Sequence, residues 1–202
     1  MADGTLYAPD LPFGDARLAG VADLFARRAC EDADLIVRAR EDPNAFVEAV
    51  ARIEGQVWIT KQAAAHRMWH DHFTRSGALG GASMAVLLCG ISHGKSLQIH
   101  RWRVLWEIGK NPNLRVLLMS ATSQLPEKML SGIKADIEHN PFVKAVFPHL
   151  RPGRKAGQQR WSNDAIHVDR QDNLTDPSVE CAGLTTKILG SRKDLIVIDD
   201  LL

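Results

Sequence analysis

Two short segments, far apart in the chain, constrain it more than any other feature. The first is Cys89-Gly90-Ile91-Ser92-His93-Gly94-Lys95-Ser96 and the second is Leu195-Ile-Val-Ile-Asp199-Asp200. Upstream of the first, Ser83-Met-Ala-Val-Leu-Leu88 follows Gly80-Gly81 and has the near-continuous apolar character of a buried parallel strand. Downstream of it, a helical pattern from Lys95 to Ile108 stops at Gly109-Lys110-Asn111-Pro112. Gly-Lys-Ser therefore stands at a strand-to-helix junction, the context that a phosphate-binding loop requires. Gly94 lets the backbone turn tightly and approach an oxygen atom. The amides that follow point outward from a helix N-terminus, where the helix dipole is positive. Gly90, Ile91, Ser92, His93, Gly94, Lys95 and Ser96 are thus the candidate nucleotide-binding residues. Lys95 would reach the β- and γ-phosphates, and the Ser96 hydroxyl would ligate Mg²⁺. Cys89 replaces the leading glycine of the usual pattern, and a plain strand–turn–helix is the alternative reading of the same residues.

In the second segment, four apolar residues end in acid. A buried strand of this kind delivers its carboxylate at the C-terminal edge of a sheet, where ligands gather in open α/β folds. Asp199 is the candidate Mg²⁺ ligand beside Ser96, and Asp200 the candidate general base that polarises an attacking water. A strand ending in a solvated acidic turn would read the same way in isolation. On one parallel sheet the two segments complement each other, since one holds phosphate and the other the metal that bridges it. ATP and Mg²⁺ are the expected cofactors.

The remaining pattern fits an α/β fold of the P-loop NTPase class, a mostly parallel sheet flanked by helices and preceded by a helical N-terminal segment. Helices are expected over Ala16–Arg28, Pro43–Glu54 and Thr60–Phe73, the last with Thr60 as N-cap and Gly77 beyond its end. Residues 1–80 form the helical segment and 81–202 the ATPase domain. A second buried strand is expected over Leu114–Met119. It leads into a helix capped by Thr122 or Ser123, with apolar positions at Leu125, Met129, Leu130, Ile133 and Ile137. Residues 148–164 read as a loop, and further strands are expected over Ala165–Val168, Val179–Ala182 and Asp194–Asp199. Three scattered cysteines with no CxxC pair indicate neither a zinc site nor a disulfide framework. The N-terminus has no apolar core of a signal peptide, and the longest apolar runs, about six residues, fall far below the ~20 of a membrane span. A cytoplasmic protein without membrane contact is expected. With a formal net charge of +1, any nucleic-acid contact must come from a local patch.

At these residues the stretch Met84–Leu201 resembles the ATPase domain of phage terminase large subunits. That family carries a deviant phosphate loop, here Ser92-His93-Gly94-Lys95-Ser96. A strand then runs into a Ser/Thr-containing helix start, here Met119-Ser-Ala-Thr-Ser123, and a tryptophan follows, here in Arg160-Trp161-Ser-Asn. A glycine segment closes on the acidic strand, here Gly183 to Gly190-Ser-Arg192-Lys-Asp194 and on to Asp200. The resemblance implies a motor that hydrolyses ATP to drive double-stranded DNA into a procapsid in the cytoplasm of a bacterial host. Its implied partners are a portal protein, a small terminase subunit and further copies of itself in a ring. Asp200 falls where the family places its catalytic carboxylate, often a glutamate one methylene longer. Ile91 stands where many members carry an arginine, so Arg192 becomes the candidate arginine in cis, with a salt bridge at the sheet edge as its alternative. Gln62 matches the segment in which members place an adenine contact, though it also reads as a solvated helix residue. The family's coupling motif and C-terminal nuclease domain have no counterpart up to Leu202, so the resemblance implies a partial motor. A superfamily 2 helicase is the nearest rival, but Ser120-Ala121-Thr122 precedes the acidic strand and no Asp-Glu-x-His/Asp box is present. A non-catalytic nucleotide-binding or assembly fragment is the other.

Three further features fit these readings. His66, His70 and His72 include an i, i+4 pair, but no HExxH pattern accompanies them. Arg151, Arg154, Lys155 and Arg160 would form either a DNA-tracking loop or a solvated one. Trp102 and Trp106 are expected in the core.

Overall fold

The computed structural model describes residues 32–53, 56–57, 59, 61–78, 84–154, 159–172, 174–185 and 191–200. The expected helix over Ala16–Arg28, the Thr60 cap, and Ser83, Lys155 and Gly190 lie outside them. The chain divides into two units, Met1–Asp34 and Leu35–Leu202, and the sheet belongs to the second.

Helix α1 (Pro43–Val50) starts where Asp42 accepts a hydrogen bond from Asn44 N at 2.8 Å and Pro43 takes the first turn. It ends short of the expected Glu54, because strands β1 (Arg52–Ile53) and β2 (Gln56–Val57) pair as an antiparallel ribbon. Helix α2 (Ala64–Ala78) starts four residues after Thr60 and contains Gly77 rather than stopping before it. Ser96–Arg103 is π-helical and continues into α3 (Val104–Lys110), which ends one residue before Asn111-Pro112. Proline has no N–H with which to extend a helix. Strand β3 (Val116–Ser120) leads to α4 (Gln124–His139), and α5 (Pro141–Val146) follows, capped by Asn140 Oδ1 at 3.0 Å from Phe142 N. Strands β4 (Ala165–Ile166), β5 (Val179–Gly183) and β6 (Leu195–Asp199) complete the sheet.

The sheet order is β4-β5-β3-β6, with β3 parallel to both β5 and β6 and β4 antiparallel to β5. The fold is α/β with a four-stranded mixed sheet flanked by helices, so the sheet is only partly parallel. Leu105, Ile108, Leu118, Leu130, Ile133, Ile137 and Ile166 are fully buried between these layers. The apolar positions expected on the helix after β3 thus face the core, apart from a partly buried Leu125. Trp102 and Trp106 are buried as expected, and Trp106 Nε1 donates to the Ala39 carbonyl at 3.0 Å.

One expected strand is absent. Met84–Cys89 belongs to neither sheet, and its residues alternate between exposed and half-buried, with Met84 and Leu88 88% and 91% exposed. Period-two alternation is that of an extended chain, but among the described residues β3 is the only strand that pairs with β6. Ile196 and Ile198 are half-exposed for the same reason, so helices cover only one face of β6.

Candidate functional site

The turn between Cys89 and Lys95 is shaped by backbone that favours glycine. Ser92 and Gly94 have φ of 63° and 77°, and the Gly94 carbonyl then accepts the first helical hydrogen bond from Gln98 N at 2.9 Å. The His93 ring folds back so that Nδ1 lies 2.9 Å from the Ile91 carbonyl. A Cβ at Gly90 would sit 2.9 Å from His93 Cε1, so a larger residue there would displace that ring. Residues 89–97, together with Asp200, line an open cavity of about 310 Å³. A second cavity of the same volume, lined by Gln124, Glu127, Lys128, Ser131 and Asn163, lies along α4 away from these groups.

The acidic strand closes the other side. In the parallel register Asp199 pairs with Ser120, which brings both strand ends to one edge. Lys95 Nζ stands 2.6 Å from Asp199 Oδ1 and 2.8 Å from Asp200 Oδ1, and Ser96 Oγ donates to Asp199 Oδ2 at 2.5 Å. Asp200 takes a left-handed φ of 46°, and its carbonyl accepts from Ala121 N at 3.1 Å and Ser120 Oγ at 3.4 Å. These bonds aim its 65% exposed side chain at the cavity.

The electrostatics follow from the contacts. Hydrogen bonds to Asp199 and then Asp200 hold the Lys95 ammonium above its ordinary pKa. Burial works against a charged Asp199, but the bonds from Lys95 and Ser96 outweigh it and keep the carboxyl below its ordinary value. His100, 2% exposed, is pushed down by burial, against the opposing pull of Asp199. A buried carboxylate beside a hydroxyl offers hard oxygen donors, the set that Mg²⁺ takes while keeping several of its waters. The residues present therefore fit that ion.

Gly90 to Ser96, Asp199 and Asp200 thus come together. Two other candidates do not join them. Gln62 is 3% exposed, and both ends of its amide are taken by Gln98, Nε2 donating to Gln98 Oε1 at 2.8 Å and Oε1 accepting from Gln98 Nε2 at 3.0 Å. Burial and this pairing turn the Gln62 amide toward Gln98 rather than toward the cavity. Arg192 sits at the opposite edge of the sheet. Its neighbours Ser191 and Lys193 bond to Asp176 and Glu180, and the rise of β6 from Leu195 to Asp199, about 13 Å at ~3.3 Å per residue, separates the two ends of the strand. The structure therefore does not bring Arg192 together with Lys95, Ser96, Asp199 and Asp200.

The basic loop is partly neutralised, since Arg151 pairs with Asp169 at 2.7 Å and Arg160 with Asp164 at 2.5 Å. His66 and His70 turn toward Gln98 instead of toward a shared ligand, and the described residues contain no group of three potential metal ligands from His, Cys, Asp and Glu. No helix among the described residues is long and apolar enough to cross a membrane. The contributions of Ser120 and Ala121 to Asp200, and of His66 and Gln98 to the loop, carry no spacing signal in the sequence. Only the fold reveals them.

Fold and site together define an α/β protein in which a Gly-Lys-Ser turn faces the acidic C-terminal end of β6, the outer strand of the described sheet. In sequence, the chain is 32% identical over 97 residues to "Terminase, large subunit" of Enterobacteria phage T3. The matched stretch covers 48% of this chain and 15% of that protein, so the likeness concerns one part of it. No protein-family model matches the chain.

Proposed function

We propose that residues 81–202 bind ATP with Mg²⁺ in a P-loop NTPase fold and act as the ATP-hydrolysing part of a DNA-packaging terminase large subunit, with residues 1–80 as its helical lead-in. The observation that carries this reading is the convergence of Lys95 and Ser96 on Asp199 and Asp200, which lie 103 to 105 residues further along the chain. The amides of Gly90 to Ser96 cradle the phosphates, as the cavity and the left-handed turn at Ser92 and Gly94 suggest. Lys95 leaves Asp200 to meet the terminal phosphates, and Ser96 and Asp199 hold Mg²⁺. The chemistry such an ion would supply there is to offset negative charge on the phosphates. Asp200, freed from Lys95, orients the attacking water and accepts its proton.

Double-stranded DNA, a portal protein, a small terminase subunit and ring formation enter with the similarity to the T3 protein. So does the setting in a bacterial host. Arg192 precedes β6, at the far end of that strand from Asp199, so its part in transition-state stabilisation requires it to act from beyond this cavity.

Titration of the 202-residue chain with Mg–ATP, beside Lys95→Ala, tests the assignment. Loss of the charge-assisted bonds should weaken binding roughly 10- to 100-fold, in keeping with 1.5–3 kcal/mol for such contacts. Equal affinity in the two proteins would sink the phosphate-loop reading. A second reading, binding without turnover, is favoured by Ile91, which stands in the loop where many terminases carry an arginine. Phosphate release from the parent chain decides between the two.

A further inference from the structure

Beneath the 90–96 turn lies a polar network that the mechanism above does not use. Gln98 is 1% exposed, and each of its four hydrogen-bonding positions has a partner. Its Oε1 lies 2.8 Å from Gln62 Nε2 and 2.9 Å from His70 Nε2. Its Nε2 lies 3.0 Å from Gln62 Oε1 and 3.2 Å from His66 Nδ1. The other nitrogen of His66, Nε2, lies 2.9 Å from the main-chain carbonyl of His93 inside the turn.

Chemistry sets the direction of every bond in this network. A carbonyl oxygen only accepts, so His66 carries its proton on Nε2, and its Nδ1 is then an acceptor that requires the Gln98 NH₂. With the Gln98 amide so oriented, Oε1 faces donors from Gln62 and His70. Burial keeps His70 neutral by pushing its pKa down to about 4, which suits a ring that donates through one nitrogen. Reversing the Gln98 amide would set donor against donor at its buried contacts with Gln62 and His70, at a cost of about 1–3 kcal/mol for each unsatisfied group.

The consequence reaches the cavity through one peptide plane. In a trans peptide the C=O and the following N–H point in opposite directions. Holding the His93 carbonyl toward α2 therefore turns the Gly94 N–H away from α2, in a turn whose residues line the cavity. We propose that His66 is a positioning residue for the 90–96 turn, fixed as the Nε2–H tautomer by Gln98, and that it aims the Gly94 amide at the phosphate of the ligand. This inference rests on the reading of the turn as a phosphate loop. It also makes α2 the element through which the turn is held to the helical layer.

Three variants test it on the full chain, with Mg–ATP and inorganic pyrophosphate as probes. His66→Phe keeps an aromatic ring against Trp69, whose centroid is 4.8 Å away, but removes both hydrogen bonds. His66→Gln keeps an amide donor and acceptor with spacing close to that of the imidazole nitrogens. His66→Phe should bind both probes about 5- to 10-fold more weakly, the effect of one hydrogen bond and a misaligned amide, at ~1 kcal/mol or slightly more. His66→Gln should restore affinity to within about twofold, and the Gly94 amide resonance should move in the first variant and return in the second. If His66→Phe matches a parent that binds, or His66→Gln is as weak as His66→Phe, the positioning role is overturned while the site stands. If the parent and Lys95→Ala both fail to bind either probe, it is the site itself that fails. Gln98→Glu supplies an independent arm. A carboxylate cannot donate to His66 Nδ1, so this variant should weaken binding as His66→Phe does, and unchanged affinity would also overturn the role.

Discussion

Lys95 is held between two carboxylates, and that determines how its site responds to pH and to substitution. Asp199 has a folded pKa below its ordinary value, so its contribution to stability is complete above the unfolded value, about 3.9, and is lost as pH falls through the folded one. Lys95 is raised, so its contribution is complete below the unfolded value, about 10.4, and fades as pH climbs through the folded one. Asp199→Asn removes the first dependence. Urea midpoints taken from pH 6 down to pH 3 should fall less in Asp199→Asn than in the parent, and parallel curves would show that Asp199 is not held down as described. Asp200 differs because it is largely exposed and contributes little to the fold. Asp200→Asn should leave Mg–ATP affinity within about threefold and lower turnover by roughly 10²- to 10⁴-fold, the range for loss of a general base. Single-turnover phosphate release measures that, and a rate equal to the parent's removes Asp200 from the chemistry.

Among the elements, β3 and β6 illustrate how differently similar apolar runs can be placed. Leu118 on β3 is fully buried, whereas Ile198 on β6, which pairs with Met119 and lies on the other face of the sheet, is 52% exposed. Leu118→Ala should cost about 2–5 kcal/mol through lost contacts and a residual cavity. Ile198→Ala should cost well under half as much, since most of its surface is already wet. Equal costs in chemical denaturation would mean that something covers β6 in solution. The same contrast explains what was legible beforehand. Met129, Leu130, Ile133 and Ile137 announced the buried face of α4 because helical periodicity is a local property. Met84–Leu88 announced a buried strand and is not one, because pairing depends on a partner that a local run cannot specify. Lys95-Ser96 and Asp199-Asp200 were legible as two motifs because within each the glycine or apolar context and the charge fall within a few residues. The clamp on Asp200 by Ser120 and Ala121, the network around Gln98 and the remoteness of Arg192 arise from long-range register, which no short window contains.

For the molecule as a whole, the site and the helical layer are mechanically joined. Arg103 donates to the His70 carbonyl at 2.9 Å and to Thr74 Oγ1 at 3.0 Å, Arg67 pairs with Glu48 at 2.6 Å, and Glu48 Oε1 also accepts from Gln62 N at 2.8 Å. These bonds tie α2 to both α1 and the helix that follows the turn, so a ligand that orders the turn also orders α2. Linkage gives the size of the effect. A ligand bound only by the folded state at a hundred times its dissociation constant adds about 2.7 kcal/mol of stability. Mg–ATP at that excess should therefore raise the parent's unfolding free energy in urea titrations by that amount and slow amide exchange along Ala64–Ala78. Lys95→Ala at the same nucleotide concentration should show a much smaller rise. In His66→Phe, brought to the same saturation, the stability gain should persist while the added protection of α2 is lost. Protection that survives in His66→Phe would mean that the turn and α2 communicate by another route.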